Sequence, residues 1–349
     1  MSNINQKSLK NFISLLELLG ISSILMLALA VLGLKNPYLM RVAILVGINI
    51  ILVVALNLSN GFTGIFSLGH VGFMAIGAYT SSILTLTVAT KSTNLPSLPI
   101  WLAHTQFGFL PALLIAGSLA ALIALLIGFP LMRLSGNYVA VATLGFLVII
   151  HIVLINWEQF TRGARTFSGV IQYTTLWWVY IWILITIYVV WRIVHSHYGR
   201  ALLAVRDDPI AAQTMGVSIL RSRLLAFVVS AFLSAVGGGL MAHFLTSFSP
   251  ATFYFTATFN YIIILIIGGL GSISGSVLGA TLVTLLTELL RNFEQSIRLY
   301  GLSQIILAAA LVLIIIFYPK GLIGYREINW LQLLKLGSTK GTNNNSERR

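Results

Sequence analysis

The sequence predicts an all-α polytopic membrane protein of about ten transmembrane helices, and three observations support this prediction. Of the 349 residues, 58% are hydrophobic and only 8% are charged, which leaves too little polar surface to cover a water-soluble protein of this size. Apolar runs of about 20 residues, long enough to cross a bilayer, recur along the chain. The alternating pattern of membrane-barrel strands does not occur in it, so each span must satisfy its backbone hydrogen bonds within a helix.

The predicted spans form one transmembrane region, residues 13–318, between a short N-terminal tail, 1–12, and a basic C-terminal tail, 319–349. The spans are 13–34, 42–58, 67–90, 109–129, 138–157, 175–194, 224–247, 256–270, 275–290 and 301–318. The weakest part of this division is 256–290. It is either two spans joined by a tight turn or one span with a re-entrant break, because glycines interrupt it at 268–271.

Positive charge predicts the orientation. The formal net charge is +13, from 21 Lys and Arg against 8 Asp and Glu, and basic residues accumulate in cytoplasmic loops of membrane proteins. With the N-terminus inside, the outer face keeps only Lys35, Arg41, Lys91, Arg162, Arg165, Arg291 and Arg298, and the other basic residues are cytoplasmic. The sequence therefore predicts that both termini are cytoplasmic. Membrane orientation explains the excess of positive charge, and a nucleic-acid partner is not needed to explain it.

Several kinds of chemistry are excluded or disfavoured. The chain has no Cys, which excludes disulfides, iron–sulfur clusters and thiol nucleophiles. Its six His lack metal-ligand spacing, and no Gly-x-x-x-x-Gly-Lys-Ser/Thr loop is present to bind a nucleotide. We therefore expect no catalytic residue, no metal site and no cofactor on this chain, and energy for any transport must come from a partner.

Two other classes of protein are disfavoured by the positions of the acidic residues. A self-sufficient secondary carrier usually needs carboxylates within the membrane, whereas the acids here fall at predicted span ends or in loops, with Glu17 and Glu288 nearest to a span interior. A membrane enzyme needs a cluster of acids, His or metal ligands, for which Glu158 and His151 are the one faint candidate.

The longest predicted cytoplasmic connection, residues 195–223, contains a short helix. Asp208 suits its N-cap, Pro209 its first position and Gly216 the left-handed residue that ends it. A helix of about seven residues is not stable alone. Small and apolar side chains fill the rest of it, namely Ile210, Ala211, Ala212 and Met215. This composition predicts a helix pressed into a groove of another protein; the alternative is an amphipathic helix lying on lipid.

A glycine-rich segment predicts where a transport pathway runs. Glycines break a helix-length region between residues 57 and 79, and small residues let backbone line a pathway. The predicted pathway residues are Asn57, Gly61, Gly64, Ser67, Gly69, His70 and Gly72. For His70, an interhelical hydrogen bond is the alternative. A second glycine series, Gly271, Gly275 and Gly279, recurs every four residues and predicts close helix packing.

Sequence blocks across residues 57–280 carry a family resemblance. They are residues 57–64, 67–70, 77–79, 136–138, 142–146, 199–216, 226–232, 249–250 and 267–273. Within them, Ala211-Ala212 followed after three residues by Gly216 resembles the coupling motif of ABC-importer permeases. As a set, the blocks resemble the permease subunits of branched-chain amino-acid ABC importers.

The resemblance implies an ABC importer permease fold of about ten helices in a bacterial inner membrane. It implies a second permease subunit, homologous or identical, two cytoplasmic ATPases that bind the ATP, and an extracytoplasmic solute-binding protein. The implied activity is inward transport of a branched-chain or other neutral amino acid by alternating access, with residues 209–215 seated in an ATPase cleft. Because urea and amide importers share these blocks, those substrates remain alternatives.

One loop departs from the family pattern. Where relatives commonly have Thr-Gly-Gly after the fifth span, residues 161–170 place Arg162 and Arg165 on the predicted outer face. One hypothesis is that both pair with carboxylates of the binding protein and set its docking register. The alternative is that they anchor the loop locally.

Overall fold

The computed structural model describes residues 36–297 and 301–317, together with Gly20, Ser23 and Gly324. Across these residues the regular structure is helical, apart from one isolated antiparallel bridge between Phe167 and Phe248. The predicted N-terminal tail 1–12, almost all of the first predicted span 13–34 and almost all of the C-terminal tail 319–349 lie outside the described residues. The orientation of both termini therefore stays a prediction.

The helices are numbered here in chain order over the described residues. They are α1 Pro37–Asn60, α2 His70–Thr85, α3 Val88–Asn94, α4 Ile100–Ala103, α5 Phe109–Leu131, α6 Asn137–Asn156, α7 Glu158–Thr161, α8 Leu176–Val194, α9 His197–Asp207, α10 Pro209–Thr214, α11 Ile219–Leu245, α12 Phe255–Gly268, α13 Ile273–Ile297 and α14 Leu302–Phe317. A 3₁₀-helix, Pro250–Phe253, precedes α12.

Seven helices in the described part of the chain are long and apolar enough to cross a membrane. They are α1, α5, α6, α8, α11, the segment Pro250–Gly268 and α13; α2 with α3, bent by 119°, makes an eighth if counted as one broken span. This is fewer than the ten predicted. The first predicted span lies almost entirely outside the described residues, and the last corresponds to α14, which has only 16 residues. The all-α polytopic class is confirmed.

The weakest predicted segment, 256–290, forms two helices. α12 ends at Gly268 and α13 begins at Ile273, so Gly269 and Gly271 lie in the turn between them. Two members of the second glycine series pack as predicted, because a Cβ atom added to Gly275 or Gly279 would lie 2.6 Å from an atom of Gly268. Gly271 lies in the turn, with φ +77°, and is not part of that helix face. α13 continues to Ile297, however, and the predicted end at residue 290 is too early.

The core forms around α1 and α11. α1 is apolar on all sides and buried throughout residues 46–60, the pattern of a helix surrounded by others. α11 packs backbone to backbone on α2, because a Cβ atom on Gly77 would overlap the carbonyl of Ala235 and one on Gly238 that of Met74. By contrast, α5 and α6 each leave an apolar face exposed.

α6 extends between two ends of the bundle. Its first residues adjoin the loop 132–136, which shares a cavity with α10 and the start of α11. Its last residue is followed by α7 and the loop 161–165, which share a cleft with residues 93–97. With 20 residues α6 is about 30 Å long. The first end is called the α10 end below, and the second the α7 end.

Candidate functional site

α10 has the capping geometry that its sequence predicts. Asp208 adopts extended backbone angles, and its Oδ1 accepts hydrogen bonds from the backbone N–H groups of Ile210, at 2.9 Å, and Ala211, at 3.0 Å. Pro209 occupies the first helical turn. Beyond the helix, Gly216 has φ +84°, the left-handed conformation expected of a helix-ending glycine. These caps give a six-residue segment a defined shape.

The side chains of α10 divide into an anchored and an open set. Ala212 is 5% exposed and faces the protein, whereas Ile210 is 77% exposed and Met215, just after the helix, is 83% exposed. Ala211 and Gly216 are also exposed. Two large apolar side chains projecting from one short capped helix form a surface suited to a partner.

α10 is connected mechanically to the glycine-rich segment through α9. Arg206, near the end of α9, is ion-paired with Asp207 at 3.2 Å, and its Nη1 lies 3.4 Å from the carbonyl oxygen of Gly61. Its stem covers Gly64, where an added Cβ atom would lie 2.7 Å from Arg206 Cγ and where φ is +71°. No local pattern in the sequence indicates this contact, which joins residues 145 positions apart.

Asn57, the first predicted pathway residue, joins α1 to the start of α13 and the turn before it through hydrogen bonds. Its Nδ2 donates to the carbonyl of Ser272 at 2.8 Å and to Ser276 Oγ at 2.7 Å. Its Oδ1 accepts the backbone N–H of Gly271 at 2.8 Å. Gly61 lies against the same cluster, because a Cβ atom there would overlap Asn57 Oδ1.

The other predicted pathway residues also pack within the subunit. His70 is buried and its Nδ1 lies 2.8 Å from Ser234 Oγ on α11, so the interhelical hydrogen bond considered for it is present. Gly69 and Gly72 lie against Phe146 of α6. Ser67 is buried, and its backbone N–H and carbonyl both bond to the side chain of Asn60. Gly64 is the one member of the set with an exposed surface. Whether these residues line a pathway stays a prediction.

A cavity of about 310 Å³ lies between α1, α11, α12 and α13, and none of the predicted pathway residues lines it. Its polar lining consists of Asn49, Thr252, Asn260, Thr284, Thr287 and Glu288. Asn49 Nδ2 donates to Thr284 Oγ1 at 2.9 Å, which joins α1 to α13 across the cavity. The sequence did not predict this cavity: polar residues within apolar runs are its one sequence signal, and only the fold brings them together.

Glu288 is the charged member of this cavity, and its predicted place near a helix end is wrong. Because α13 continues to Ile297, Glu288 lies more than two turns inside the helix. Its side chain is 14% exposed, 3.7 Å from Arg291 and 3.3 Å from the hydroxyl of Tyr38. The one carboxylate in the lining of this cavity is therefore paired with Arg291 and hydrogen-bonded to Tyr38.

At the α7 end, the two arginines of the divergent loop have different surroundings. Arg162 has φ +64°, and its Nη1 donates to the Thr166 carbonyl at 3.1 Å and to Ser168 Oγ at 2.9 Å, the local contacts of the anchoring interpretation. Arg165 is exposed. Both line a cleft of about 580 Å³ with residues 93–97. Arg162 therefore holds the loop in place, and Arg165 is exposed on its surface.

A buried lysine lies beside the opposite wall of this cleft. Lys91 of α3 is 1% exposed, and its Nζ donates to the carbonyls of Leu102 at 2.9 Å and Thr105 at 2.5 Å. These carbonyls lie at the end of α4 and just after it, so the ammonium group holds α4 and the next turn against α3. The sequence places Lys91 among the outer basic residues and gives no indication of this contact.

These features define the class of the protein. It is a polytopic α-helical membrane protein with a capped, apolar, exposed helix between two of its spans. Within the described residues there is no group of three or more His, Asp or Glu placed to hold a metal ion.

Comparison with known proteins identifies the family. The model of the family described as branched-chain amino acid transport system permease component matches residues 38–317, and the chain belongs to this family. It is 30% identical to the high-affinity branched-chain amino acid transport system permease protein LivM of Escherichia coli (strain K12), over 90% of this chain and 78% of the relative. It is 29% identical to a probable branched-chain amino acid transport permease protein LivH of Methanocaldococcus jannaschii, over 66% of this chain and 77% of that protein. No solved structure matches the chain.

Proposed function

We propose that this chain is the membrane subunit of an ATP-driven importer that carries a branched-chain or other neutral amino acid inward by alternating access. Family membership and the functions for which the relatives are named support the substrate class. The observation that carries the ATP-driven mechanism is the exposure of Ile210 and Met215 on a capped helix. A partner ATPase binds and hydrolyses the nucleotide, and this chain performs no catalysis.

The coupling step begins with α10 seated in a groove of the ATPase. Asp208 N–H donates to the carbonyl of Ala204 at 3.0 Å, so α9 and α10 are joined without an intervening loop and move together. When the ATPases close on ATP, a displacement of α10 reaches Arg206 at the end of α9. Rigid elements in contact transmit such displacements between two packed states.

The second step carries this movement into the spans. Arg206 presses on Gly64 and contacts the Gly61 carbonyl, which shifts the loop between α1 and α2. Gly61 packs directly against the backbone nitrogen of Gly271, so the movement reaches the turn before α13, the helix that lines the 310 Å³ cavity with Thr284 and Glu288. The cavity therefore changes its opening as the nucleotide state changes.

The complete assembly requires partners on both sides of the membrane. A second permease subunit, homologous or identical, completes the central pathway, and an extracytoplasmic binding protein delivers the solute at the α7 end, where Arg165 is exposed. This arrangement places the α10 end and both termini in the cytoplasm of a bacterial cell with the protein in its inner membrane. Substrate selection resides largely in the binding protein.

Uptake of radiolabelled leucine into proteoliposomes tests the proposal. We expect uptake only when the chain is reconstituted with its ATPase and second permease, and ATP and the binding protein are supplied on their respective sides. Ile210→Asp should abolish it, because a charge replaces the apolar contact, whereas Tyr198→Asp, at an exposed aromatic residue of α9, should retain it. Gradient-driven uptake by the chain alone would show a secondary carrier instead. Absence of leucine uptake by the complete assembly, together with ATP-dependent uptake of radiolabelled urea or acetamide, would reassign the substrate.

A further inference from the structure

A second cavity, of about 450 Å³, lies at the α10 end where several helices begin or end. Its lining includes residues 132–136, which join α5 to α6, and residues 217–220 with Arg223 at the start of α11. Pro209 and Gln213 of α10 complete it. Since α5, α6 and α11 are candidate membrane spans, a cavity at their ends lies at the depth of the lipid headgroups.

Two arginines give this cavity a positive charge that nothing in its lining neutralises. Arg133 and Arg223 both line it, and no lining residue, all of them in the described part of the chain, is acidic. Arg223 Nη1 is 3.4 Å from the carbonyl of Leu134, and its Nε is buried without a hydrogen-bond partner among the described residues. An anion in the cavity would be attracted by both guanidinium groups, and a guanidinium binds phosphate more strongly than a neutral donor does.

The remaining polar groups also suit an anion. Gly136 is the N-cap of α6, whose first backbone N–H groups receive no side-chain cap, and it lines the cavity. The N-terminus of a helix carries partial positive charge. This contribution adds to the two guanidinium groups and does not by itself define the site.

The surroundings of the cavity identify the source of the anion. Arg133 Cζ lies 4.3 Å from the centre of the Phe129 ring, and Phe129, Leu134 and Tyr138 are exposed apolar side chains beside the cavity. This apolar surface continues along α5 and α6 through the exposed side chains Leu122, Leu125, Leu126, Val141 and Ile149. A cationic pocket that continues into an apolar wall matches a phospholipid, which has a phosphate at one end and acyl chains at the other.

We propose that this cavity binds an anionic phospholipid of the surrounding bilayer, with its phosphate between Arg133 and Arg223 and its acyl chains along Phe129 and Tyr138. Because Pro209 and Gln213 line the same cavity, the bound headgroup contacts α10. The site depends on the membrane location of the chain and not on its proposed transport function, so it can be tested separately.

Native mass spectrometry of the full chain in detergent tests the site with phosphatidylglycerol and, for comparison, zwitterionic phosphatidylcholine. We expect phosphatidylglycerol to bind at least tenfold more tightly, and R133Q/R223Q to remove most of this preference. The matched control, R192Q/R200Q, removes two other arginines at the same end and should keep it. Equal binding of the two lipids, or an equal loss in the control, would overturn the proposal.

Two further measurements distinguish a bound lipid from a free anion and from misfolding of the variant. Full displacement of phosphatidylglycerol by inorganic phosphate would show a free-anion site and contradict a lipid held also by its chains. If R133Q/R223Q fails to fold, as judged by its thermal midpoint in detergent, photoactivatable phosphatidylglycerol on the unmodified chain decides instead. Labelling concentrated in residues 129–138 and 209–223 is expected, and labelling spread evenly over α5, α6 and α8 would refute the site.

Discussion

Asn57→Ala distinguishes a structural role of this residue from the pathway role that its sequence context predicts. Its side chain donates two hydrogen bonds and accepts one, and these join α1 to the turn before α13 and to Ser276 of α13 itself. After the substitution, the Ser272 carbonyl still accepts from Ser276 Oγ at 3.1 Å and from its backbone N–H. The N–H of Gly271 loses the partner that the structure shows.

The expected destabilisation follows from these contacts. Interhelical hydrogen bonds in membrane proteins contribute about 0.6 kcal/mol each, and a buried unsatisfied N–H costs about 1–3 kcal/mol. Two lost bonds, and the unsatisfied Gly271 donor in place of the third, therefore predict a decrease of about 3 kcal/mol in the free energy of unfolding. Ser276→Ala removes one of the three bonds and should cost about 0.6 kcal/mol.

The assay is equilibrium unfolding of the full chain in mixed micelles, followed by tryptophan fluorescence, together with leucine uptake by the reconstituted importer. We expect Asn57→Ala to lose stability several times more than Ser276→Ala, and to lose uptake in proportion to its unfolded fraction. A stability change below about 0.5 kcal/mol combined with a complete loss of uptake would refute the structural role. That result would support the pathway role instead.

Three further predictions concern the two ends of the bundle. Gly64→Val should uncouple ATP hydrolysis from uptake, measured as the ratio of the two rates, because φ +71° disfavours valine and its Cβ would displace Arg206. Lys91→Met should reduce the free energy of unfolding by about 2 kcal/mol, measured in mixed micelles, because two buried carbonyls lose a charged donor. Arg165→Glu should weaken docking of the binding protein, measured by light scattering with proteoliposomes, and leave the thermal midpoint unchanged. Arg162→Glu should lower the thermal midpoint, because it removes the loop anchor.

Each of these predictions has a control or a contrary outcome. Substituting Gly145, which has open space around it, by Ala should preserve coupling, and preserved coupling in Gly64→Val would end the Arg206 mechanism. A Lys91→Met variant as stable as the original chain would show that the buried ammonium contributes nothing. Unchanged docking after Arg165→Glu would show that the binding protein makes no charged contact with Arg165.

Local signals in the sequence predicted local structure well. Asp208, Pro209 and Gly216 have the capping roles expected of them because a cap depends on neighbouring backbone groups and on intrinsic φ preference. Gly275 and Gly279 pack against Gly268 as their four-residue spacing predicts, whereas Gly271 of the same series lies in the turn before α13. The all-α class followed from the length and apolarity of the spans, which the membrane itself imposes.

Contacts between distant residues were not predictable from one sequence. Lys91 was grouped with the outer basic residues, yet its ammonium is buried against carbonyls that only α4 and the turn after it bring close. Glu288 was assigned to a helix end because apolarity falls there, while backbone hydrogen bonding continues α13 to Ile297. The Arg206–Gly64 contact depends on how α9 folds back on the bundle, which no local pattern specifies.

Cross-linking from position 210 tests the central claim most directly, that an ATPase holds α10. Since the chain contains no Cys, Ile210→Cys gives it a single thiol for benzophenone maleimide, and in native membranes only cross-linked adducts that contain this chain are analysed. Irradiation is predicted to capture a protein that contains a Gly-x-x-x-x-Gly-Lys-Ser/Thr loop, with a yield that changes with ATP. The same label at Ser92→Cys, exposed at the α7 end, is predicted not to capture it. Capture from position 92 only, or no nucleotide-binding protein captured from position 210, would contradict the account.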